Sequence, residues 1–366
     1  MRKSDEKFMK RALFLARSRA QYASPNPRVG ALLVKGGRIV GEGATQPYGG
    51  PHAEMIALRQ AGARARGATL YVTLEPCAHY GKTPPCADAV IAAGVEKVIA
   101  SLQDPFPLVG GRGFSKLRKA GLEVKVGLLK AEAEQVNEAF FLSVRRRRPK
   151  VILKAALSAD GKMSPPPGQS RWITGEKARR RAHELRSKVD AILVGSQTAR
   201  TDNPSLTVRL PGYRRQDGWP LRVVLDSKLR IGLRSNLAWG RAKTVVFTSL
   251  AASRTKEKAL ERKGILVFRV PLLEKMLSLR AVLKKLHSLQ VRTLLVEGGS
   301  EVHDSFIREN LLDDVALFIS PRILGAGAKA WLDGRGLGGF WGEGRLRNVR
   351  LEQVGTDFLL TGQWKA

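Results

Sequence analysis

The sequence predicts an α/β protein built from two domains. The chain has 366 residues, and at roughly 150 residues per domain this length suggests two. Strand-like and helix-like segments alternate in both halves, which is typical of an α/β sandwich. The run RRRRP at 145–149 is charged and ends in proline, as expected of a junction. We therefore expect one domain over residues 1–145 and a second over 150–366.

The first half begins with a charged segment whose apolar residues recur at helical spacing. This pattern predicts an amphipathic surface helix and not a signal peptide. Gly36 and Gly37 separate two apolar runs and predict a hairpin. Pro84 and Gly94 mark the start and end of a helix. That helix spans 84–93. The other predicted elements are a helix at 51–61, a strand at 69–74, a strand at 95–100 and a helix at 115–120.

The second half contains no G-x-G-x-x-G after a strand, so a Rossmann fold is not indicated. Gly298 and Gly299 join a strand to a helix, which suits either a phosphate at the helix N-terminus or an ordinary turn. His183, His287 and His303 show no catalytic spacing and are interpreted as surface or helix residues. The predicted strands are 151–156, 191–194, 222–225, 244–247, 265–270, 293–296 and 315–319, with helices near 176–187, 279–289 and 301–309.

The charge is unusual, with 64 Lys and Arg against 32 Asp and Glu. The excess is spread over both halves, which favours a solvated basic surface, or one suited to phosphorylated small molecules, over a nucleic-acid face. No apolar run approaches the roughly 18 residues of a membrane span. We therefore expect a cytoplasmic protein without a membrane partner. Two cysteines do not make a disulfide framework.

One pattern in the first half predicts a zinc enzyme. His52, Cys77 and Cys86 supply the nitrogen and sulfur ligands that Zn²⁺ prefers, and they leave a fourth position open. Glu54 would not bind the metal but would carry a proton to the leaving nitrogen. This is the H-x-E…P-C…C signature of zinc-dependent base deaminases. A purely structural zinc site is disfavoured, because three ligands beside a glutamate suit a catalytic site with an open coordination position. The other alternative is a buried cysteine pair with an incidental histidine and no metal.

The spacing of the cysteines narrows the class. Eight residues separate them, whereas nucleoside deaminases usually have P-C-x-x-C. The segments PNPRVG (25–30), PHAE (51–54) and TLEPCAHYGKTPPC (73–86) resemble the family of the bifunctional riboflavin-biosynthesis protein RibD. That family deaminates a diaminopyrimidinone ribosylamino phosphate and then reduces the ribosyl group with NADPH. The resemblance thus implies a small phosphorylated pyrimidine as substrate, with contacts from Asn26, His79, Lys82 and Asp104.

The chain departs from the pattern of that family at two positions. Thr45 stands where the family usually has histidine, seven residues before the zinc histidine. Phe106 stands where the family usually has asparagine, after Asp104 and proline. Both family residues are expected to touch substrate. We therefore expect this chain to deaminate the family substrate with weaker ground-state binding.

The second half resembles the reductase domain of the same family. The similar segments include LKAALSADGKM (153–163), GQSRWITG (168–175), AILVGSQTARTDNPSLTVR (191–209) and LLVEGGS (294–300). The resemblance implies a dihydrofolate-reductase-like fold, NADPH as cofactor, and a homo-oligomer, either a dimer or a tetramer. The implied NADPH contacts are Ala156, Trp172, Thr198, Asp202, Ser227, Gly299, Ser300, Glu301, Val302, His303, Asp304 and Ser305.

The same resemblance implies which residues meet the second substrate. Lys154, Asp202 and Glu297 are the candidate catalytic residues near the reacting ribose carbon. An alternative for Lys154 is an ordinary residue on an edge strand. Arg186 and Arg209 would clamp the substrate phosphate, since a guanidinium pairs with phosphate through two hydrogen bonds. The implied substrate contacts are Ser170, Arg186, Leu206, Arg209 and Glu297.

A competing hypothesis is an RNA-editing deaminase with a basic RNA-binding domain, which would use the net charge directly. The cysteine spacing, an aromatic content of 6% and the reductase-like segments argue against it.

Overall fold

A computed structural model describes residues 3–18, 23–80, 84–106, 110–165, 172–213, 218–332 and 345–365. The chain divides into two compact units, Met1–Arg147 and Arg148–Ala366. The division lies within the RRRRP run. Within the described ranges, no helix has both the length and the apolar character needed to cross a membrane.

The first unit is a five-stranded sheet with helices packed against it. The strand order is β2-β1-β3-β4-β5, in which β1 is antiparallel to β2 and β3 while β3, β4 and β5 are parallel. In chain order its elements are α1 (Lys3–Ser18), β1 (Gly30–Lys35), β2 (Arg38–Ala44), α2 (Ala53–Ala61), β3 (Thr69–Val72), α3 (Cys86–Ala92), β4 (Lys97–Ala100), α4 (Arg112–Lys119), β5 (Glu123–Val126), α5 (Lys130–Val136) and α6 (Glu138–Arg146).

Glycines in β2 allow α2 to pack closely on the sheet. A Cβ at Gly43 would lie 2.2 Å from the carbonyl oxygen of Ala53, and one at Gly41 would lie 2.2 Å from that of Ala57. Only glycine permits so close an approach of two backbones. The first turn of α2, where Glu54 lies, is therefore fixed against the sheet.

The second unit is built on a nine-stranded sheet of order β11-β10-β9-β8-β14-β6-β15-β18-β17. In chain order its elements are β6 (Lys150–Ser158), β7 (Lys162–Ser164), α7 (Glu176–Ser187), β8 (Ala191–Gly195), α8 (Ser196–Thr201), β9 (Leu221–Leu225), β10 (Thr244–Thr248), α9 (Arg254–Glu261), β11 (Leu266–Arg269), β12 (Leu272–Leu273), β13 (Met276–Leu277), α10 (Leu279–Ser288), β14 (Thr293–Val296), α11 (Ser300–Arg308), β15 (Asp314–Ser320), β16 (Lys329–Ala330), β17 (Arg345–Val354) and β18 (Asp357–Lys365).

Along the sheet order, every neighbouring pair from β11 through to β15 is parallel. Strand β18 is antiparallel to β15, and β17 is antiparallel to β18. Parallel strands end at a common edge, and ligands of α/β proteins bind at the carboxyl ends of such strands. Residues that follow β8, β9 and β14 thus share one edge. The central residues of β8, β9 and β14 are buried, as expected of parallel strands.

The predicted α/β class and the predicted elements are confirmed, with boundaries that shift by at most four residues. The prediction missed α5, α6, α8, α9, β5, the short strands β7, β12, β13 and β16, and the hairpin of β17 and β18. Strand β5 shows why, because its polar and apolar residues alternate over only four positions and Val124 is its only partly buried residue. The edge-strand interpretation of Lys154 is wrong, since β6 lies between β14 and β15.

Candidate active sites

Three side chains of the first unit converge on one point. The ligand atoms of His52, Cys77 and Cys86 all lie within 4.8 Å of one another. The Nδ1 atom of His52 is 3.6 Å from Sγ of Cys77 and 3.3 Å from Sγ of Cys86. Tetrahedral zinc with bonds of about 2.3 Å to sulfur and about 2.05 Å to nitrogen would separate such atoms by roughly 3.6 Å. The three residues therefore fit a zinc ion.

Each of these side chains is placed at the end of a regular element. His52 is the residue before α2, with extended backbone angles. Cys77 follows β3, and Cys86 is the first residue of α3. The backbone N–H of Cys86 donates to Sγ of Cys77 at 3.3 Å. Backbone donors of this kind favour the thiolate form that a metal requires.

The ionisation of the cluster matches this purpose. A hydrogen bond from Cys86 lowers the pKa of the Cys77 thiol, and the same contact raises the pKa of Cys86. The hydrogen bond with Cys77 raises the pKa of His52. Glu54 is only 3% exposed, and burial raises its pKa to about 7. A buried carboxyl group beside three ligand atoms can hold a proton at neutral pH.

Those predicted substrate residues of the first unit that the structure describes lie outside its helices and strands. Asn26 follows a turn and donates its backbone N–H to the carbonyl of Ala23 at 2.8 Å. Asp104 is partly buried, and desolvation raises its pKa to about 6. His79 is exposed. Lys82 lies outside the described residues.

Glu75 organises the loop that carries Asp104, a role that the motif alone did not indicate. Its buried carboxylate accepts hydrogen bonds from the backbone N–H groups of Asp104 and Gly111, at 3.2 and 2.9 Å. It also accepts from Gly113 and Phe114 in α4, at 2.9 and 3.2 Å. A carboxylate that accepts hydrogen bonds from four backbone donors fixes the loop. In the sequence, the only signal of this role is the position of Glu75 directly before Pro76 and Cys77.

The two departures from the family pattern differ in their surroundings. Phe106 is 38% exposed, so its ring has room to meet a ligand. Thr45 is only 4% exposed, and its hydroxyl is hydrogen-bonded to the backbone of residues 27–29. Thr45 therefore lies in the protein interior, and the expectation that this position weakens substrate binding stays a prediction.

Glu297 forms the centre of a buried charge cluster in the second unit. It follows β14, and its side chain is 9% exposed. Arg186, on α7, donates to both carboxylate oxygens at 2.6 and 2.8 Å. Nζ of Lys154, on β6, lies 3.6 Å from Oε2. Burial would raise the pKa of Glu297, but the charges of Arg186 and Lys154 outweigh it and lower the pKa to about 2.

Arg186 therefore has a different first partner from the predicted phosphate. Besides Glu297, it donates through Nη1 to the carbonyl of Thr207 at 3.2 Å. Arg209, which is exposed, lies two residues further along the same loop. Leu206 in this loop has a left-handed backbone with φ 48° and is buried. Arg209 on this loop is therefore exposed, while Arg186 holds the loop through its hydrogen bond to the Thr207 carbonyl.

His183 belongs to this cluster, although its spacing in the sequence predicted no catalytic role. Its Nδ1 accepts the backbone N–H of Arg209 at 3.1 Å. Burial and then the charges of Arg186 and Arg209 lower its pKa to about 4. The ring is therefore neutral at pH 7 and carries its proton on Nε2. The other two histidines also lie on helices, as expected, and His303 is fully buried there.

The predicted NADPH residues lie mostly where parallel strands end. Thr198 lies in α8 after β8, and Asp202 is exposed just beyond it. Ser227 follows β9, and its carbonyl accepts the Ser249 hydroxyl at 2.8 Å. Residues 299–305 form the turn and first half of α11, in which Glu301 is exposed and Val302 buried. Of the other predicted NADPH contacts, Ala156 lies in β6 and Trp172 is half-exposed. Ser170, a predicted substrate contact, lies outside the described residues.

Comparison with known proteins covers the whole chain. The family model described as "RibD C-terminal domain" matches residues 149–360, and "Cytidine and deoxycytidylate deaminase zinc-binding region" matches residues 2–102. The riboflavin biosynthesis protein RibD of Aquifex aeolicus is 42% identical over 361 residues, 98% of each chain.

Solved structures agree in fold over nearly the full length. RibD of Acinetobacter baumannii superposes with a TM-score of 0.90 at 33% identity, over 99% of each chain. A diaminohydroxyphosphoribosylaminopyrimidine deaminase/5-amino-6-(5-phosphoribosylamino)uracil reductase of Thermotoga maritima gives 0.83 at 37% identity, over 98% of each. With a zinc-type cluster in its first unit and a reductase-type second unit, this chain belongs to the RibD family of riboflavin biosynthesis deaminase/reductases.

Proposed function

We propose that the first unit hydrolytically deaminates 2,5-diamino-6-ribosylamino-4(3H)-pyrimidinone 5′-phosphate. The second unit then reduces the ribosyl side chain of the product to ribityl with NADPH. The observation that carries the proposal is the convergence of His52, Cys77 and Cys86 beside the buried Glu54. The name of the Thermotoga maritima relative, which describes a deaminase and a reductase, supports the choice of substrate.

In the first unit, Glu54 moves the proton. Zinc, held by His52, Cys77 and Cys86, would supply a Lewis acid that activates water for attack on the ring carbon. Because burial places the pKa of Glu54 at about 7, the carboxylate can accept the proton of the attacking water. It can then return that proton to the leaving amine, which departs as ammonia.

In the second unit, Lys154 and Glu297 manage charge and protons. NADPH, held by the residues after β8, β9 and β14, would supply hydride to C1′ of the ribosyl group. The C1′–O4′ bond breaks, and the ring oxygen needs a proton. The Lys154 ammonium group lies 3.6 Å from the Glu297 carboxylate, which Arg186 keeps ionised through two shorter hydrogen bonds. We assign the proton to Lys154 and the phosphate to Arg209.

The test is a pair of assays on the zinc-loaded full chain. With the diaminopyrimidinone substrate and no NADPH, ammonia should be released. With the deaminated compound, NADPH absorbance should fall and the ribityl product should appear. Ammonia release without later NADPH oxidation would contradict the reductase assignment, and the reverse would contradict the deaminase assignment.

A further inference from the structure

The loop before β1 carries Asn26, the proposed substrate contact of the deaminase. Within the loop itself, the Asn26 N–H bonds to the carbonyl of Ala23 at 2.8 Å. The next three residues, 27–29, have no strand or helix of their own. Their backbone groups must find other partners, because unpaired buried backbone groups are costly. Two side chains distant in sequence provide them.

The first is Asn137, between α5 and α6, which is 3% exposed. Its Oδ1 accepts the backbone N–H of Arg28 at 2.7 Å, and its Nδ2 donates to the carbonyl of Arg28 at 2.8 Å. One amide thus satisfies both backbone groups of one residue, as a neighbouring strand would. An aspartate could not do this, because a carboxylate only accepts.

The second is Thr45, directly after β2. Its Oγ1 accepts the backbone N–H of Val29 at 2.9 Å and lies 3.2 Å from the carbonyl of Pro27, to which its hydroxyl can donate. The Thr45 N–H donates to the carbonyl of Val29 at 2.9 Å. The loop is therefore held on either side of Arg28, immediately after Asn26.

We propose that Thr45 and Asn137 are positioning residues of the deaminase, which hold the 23–29 loop so that Asn26 meets the pyrimidine. This inference rests on the proposed function of the first unit. Neither side chain touches substrate, since both are buried against the loop backbone. Their loss should therefore weaken binding through Asn26 while leaving the zinc ligands in place.

Matched variants separate the hydroxyl and the amide from mere volume. Thr45→Val keeps the shape and removes the hydroxyl, whereas Thr45→Ser keeps the hydroxyl. Asn137→Asp keeps the shape and removes the donor. We expect Thr45→Val and Asn137→Asp each to raise the deaminase KM about tenfold, the size of one lost buried hydrogen bond. Thr45→Ser should stay near the wild type, and zinc content and NADPH oxidation should not change.

The decisive measurement combines these variants with Asn26→Ala. If Thr45 and Asn137 act through Asn26, then neither substitution raises KM further once Asn26 is alanine. Fully additive effects would overturn the inference, as would an unchanged KM in both Thr45→Val and Asn137→Asp. Should one variant fail to fold, the other carries the comparison.

A second readout does not depend on activity. Amide hydrogen exchange at Val29, whose N–H donates to the Thr45 hydroxyl, should become faster in Thr45→Val and stay slow in Thr45→Ser. In Asn137→Asp the Arg28 carbonyl loses its donor, so the loop should loosen and exchange at Val29 should also become faster. Unchanged exchange in both Thr45→Val and Asn137→Asp would overturn the inference even if the wild type proved inactive. Wild-type inactivity in the ammonia assay would instead refute the proposed function alone, so the two failures are distinguishable.

Discussion

The guanidinium of Arg186 donates to both oxygens of the Glu297 carboxylate, at 2.6 and 2.8 Å. Both side chains are largely buried, with 14% and 9% exposure. Such two-point pairing fixes the carboxylate in one plane. Lys154 approaches the same carboxylate from β6. The second unit thus keeps one buried negative charge between two positive ones, which fixes the ammonium group that we assign to proton transfer.

Removal of Arg186 should therefore shift the acid stability of the second unit. The pKa of Glu297 is lowered from 4.5 to about 2, so its pairing contributes stability above about pH 4.5, and that contribution is lost as pH falls towards 2. In Arg186→Gln, burial is opposed by Lys154 and, more weakly, by His183, and the loss should begin at a higher pH. Breaking a buried pair costs up to about 3–5 kcal/mol. Urea unfolding across this pH range measures both effects.

The control is Arg180→Gln on the same helix. The Arg180 side chain is 70% exposed and lies 4.0 Å from Glu184. A surface pair of this kind contributes about 0–1 kcal/mol, so little should change. If Arg186→Gln unfolds with the same pH dependence as Arg180→Gln, the pairing with Glu297 does not govern the carboxylate.

The two activities should be separable by one sulfur atom. Cys77→Ser removes a ligand from the metal cluster, which lies wholly in the first unit. We expect loss of zinc and of ammonia release, with NADPH oxidation retained. Zinc content by metal analysis and the two assays check this. Loss of both activities in a variant that is still folded would show that the units depend on one another.

Glu54 should be needed for deamination but not for zinc. Glu54→Gln keeps the size and removes the proton acceptor, so it should keep about one zinc per chain and lose roughly 10²–10⁴-fold in deamination rate, as is typical of general acid–base groups. Glu96→Gln, at an exposed position, serves as the control. A Glu54→Gln protein without zinc would instead make Glu54 a ligand or a support of the cluster.

The sequence predicted the metal cluster well because its members lie in short motifs. His52 and Glu54 are two residues apart, and Cys77 and Cys86 bracket one loop, so local spacing carries most of the geometry. Asn137 could not be found in this way. It contacts Arg28 across 109 positions of the chain, and no local pattern specifies that pairing.

The same reasoning explains what was missed in the second unit. His183 lies on a helix among many basic residues, and only the fold brings it to Arg209, 26 positions away. The carboxyl ends of β8, β9 and β14 could be expected to meet, because parallel strands share an edge. That Arg186 pairs with Glu297 depends on how α7 packs, which strand and helix periodicity does not determine.

His183 should respond to substitution according to which ring nitrogen is replaced. Asparagine places an acceptor near Nδ1 and can keep the bond to the Arg209 N–H, whereas glutamine extends towards Nε2 and loses it. We expect His183→Asn to keep the reductase KM and His183→Gln to raise it severalfold, about the effect of one hydrogen bond. Initial rates of NADPH oxidation at varied substrate measure this. Equal KM values in the two variants would contradict a role for the Nδ1 bond.

The pH dependence of stability gives a separate check on His183. Its pKa falls from 6.5 to about 4 in the folded protein, through burial and then the charges of Arg186 and Arg209, with Lys154 acting in the same sense and Glu297 against it. The unfolded chain therefore binds more protons, and His183 lowers stability as pH falls from 6.5 to 4. His183→Asn, which cannot titrate, should lose this dependence.

The two departures from the family pattern should behave differently when reverted. Phe106→Asn changes a side chain that is 38% exposed and close to Asp104, whose Oδ1 accepts the Phe106 N–H at 2.7 Å. It should fold normally, lower the deaminase KM and leave kcat within about tenfold, the pattern of restored uniform binding.

Thr45→His instead forces a ring into a site that is 4% exposed. Overpacking costs about 1–3 kcal/mol, so the melting temperature should fall and KM should rise as the 23–29 loop is displaced. A Thr45→His protein that keeps its melting temperature and binds substrate more tightly would show that position 45 reaches the pyrimidine after all.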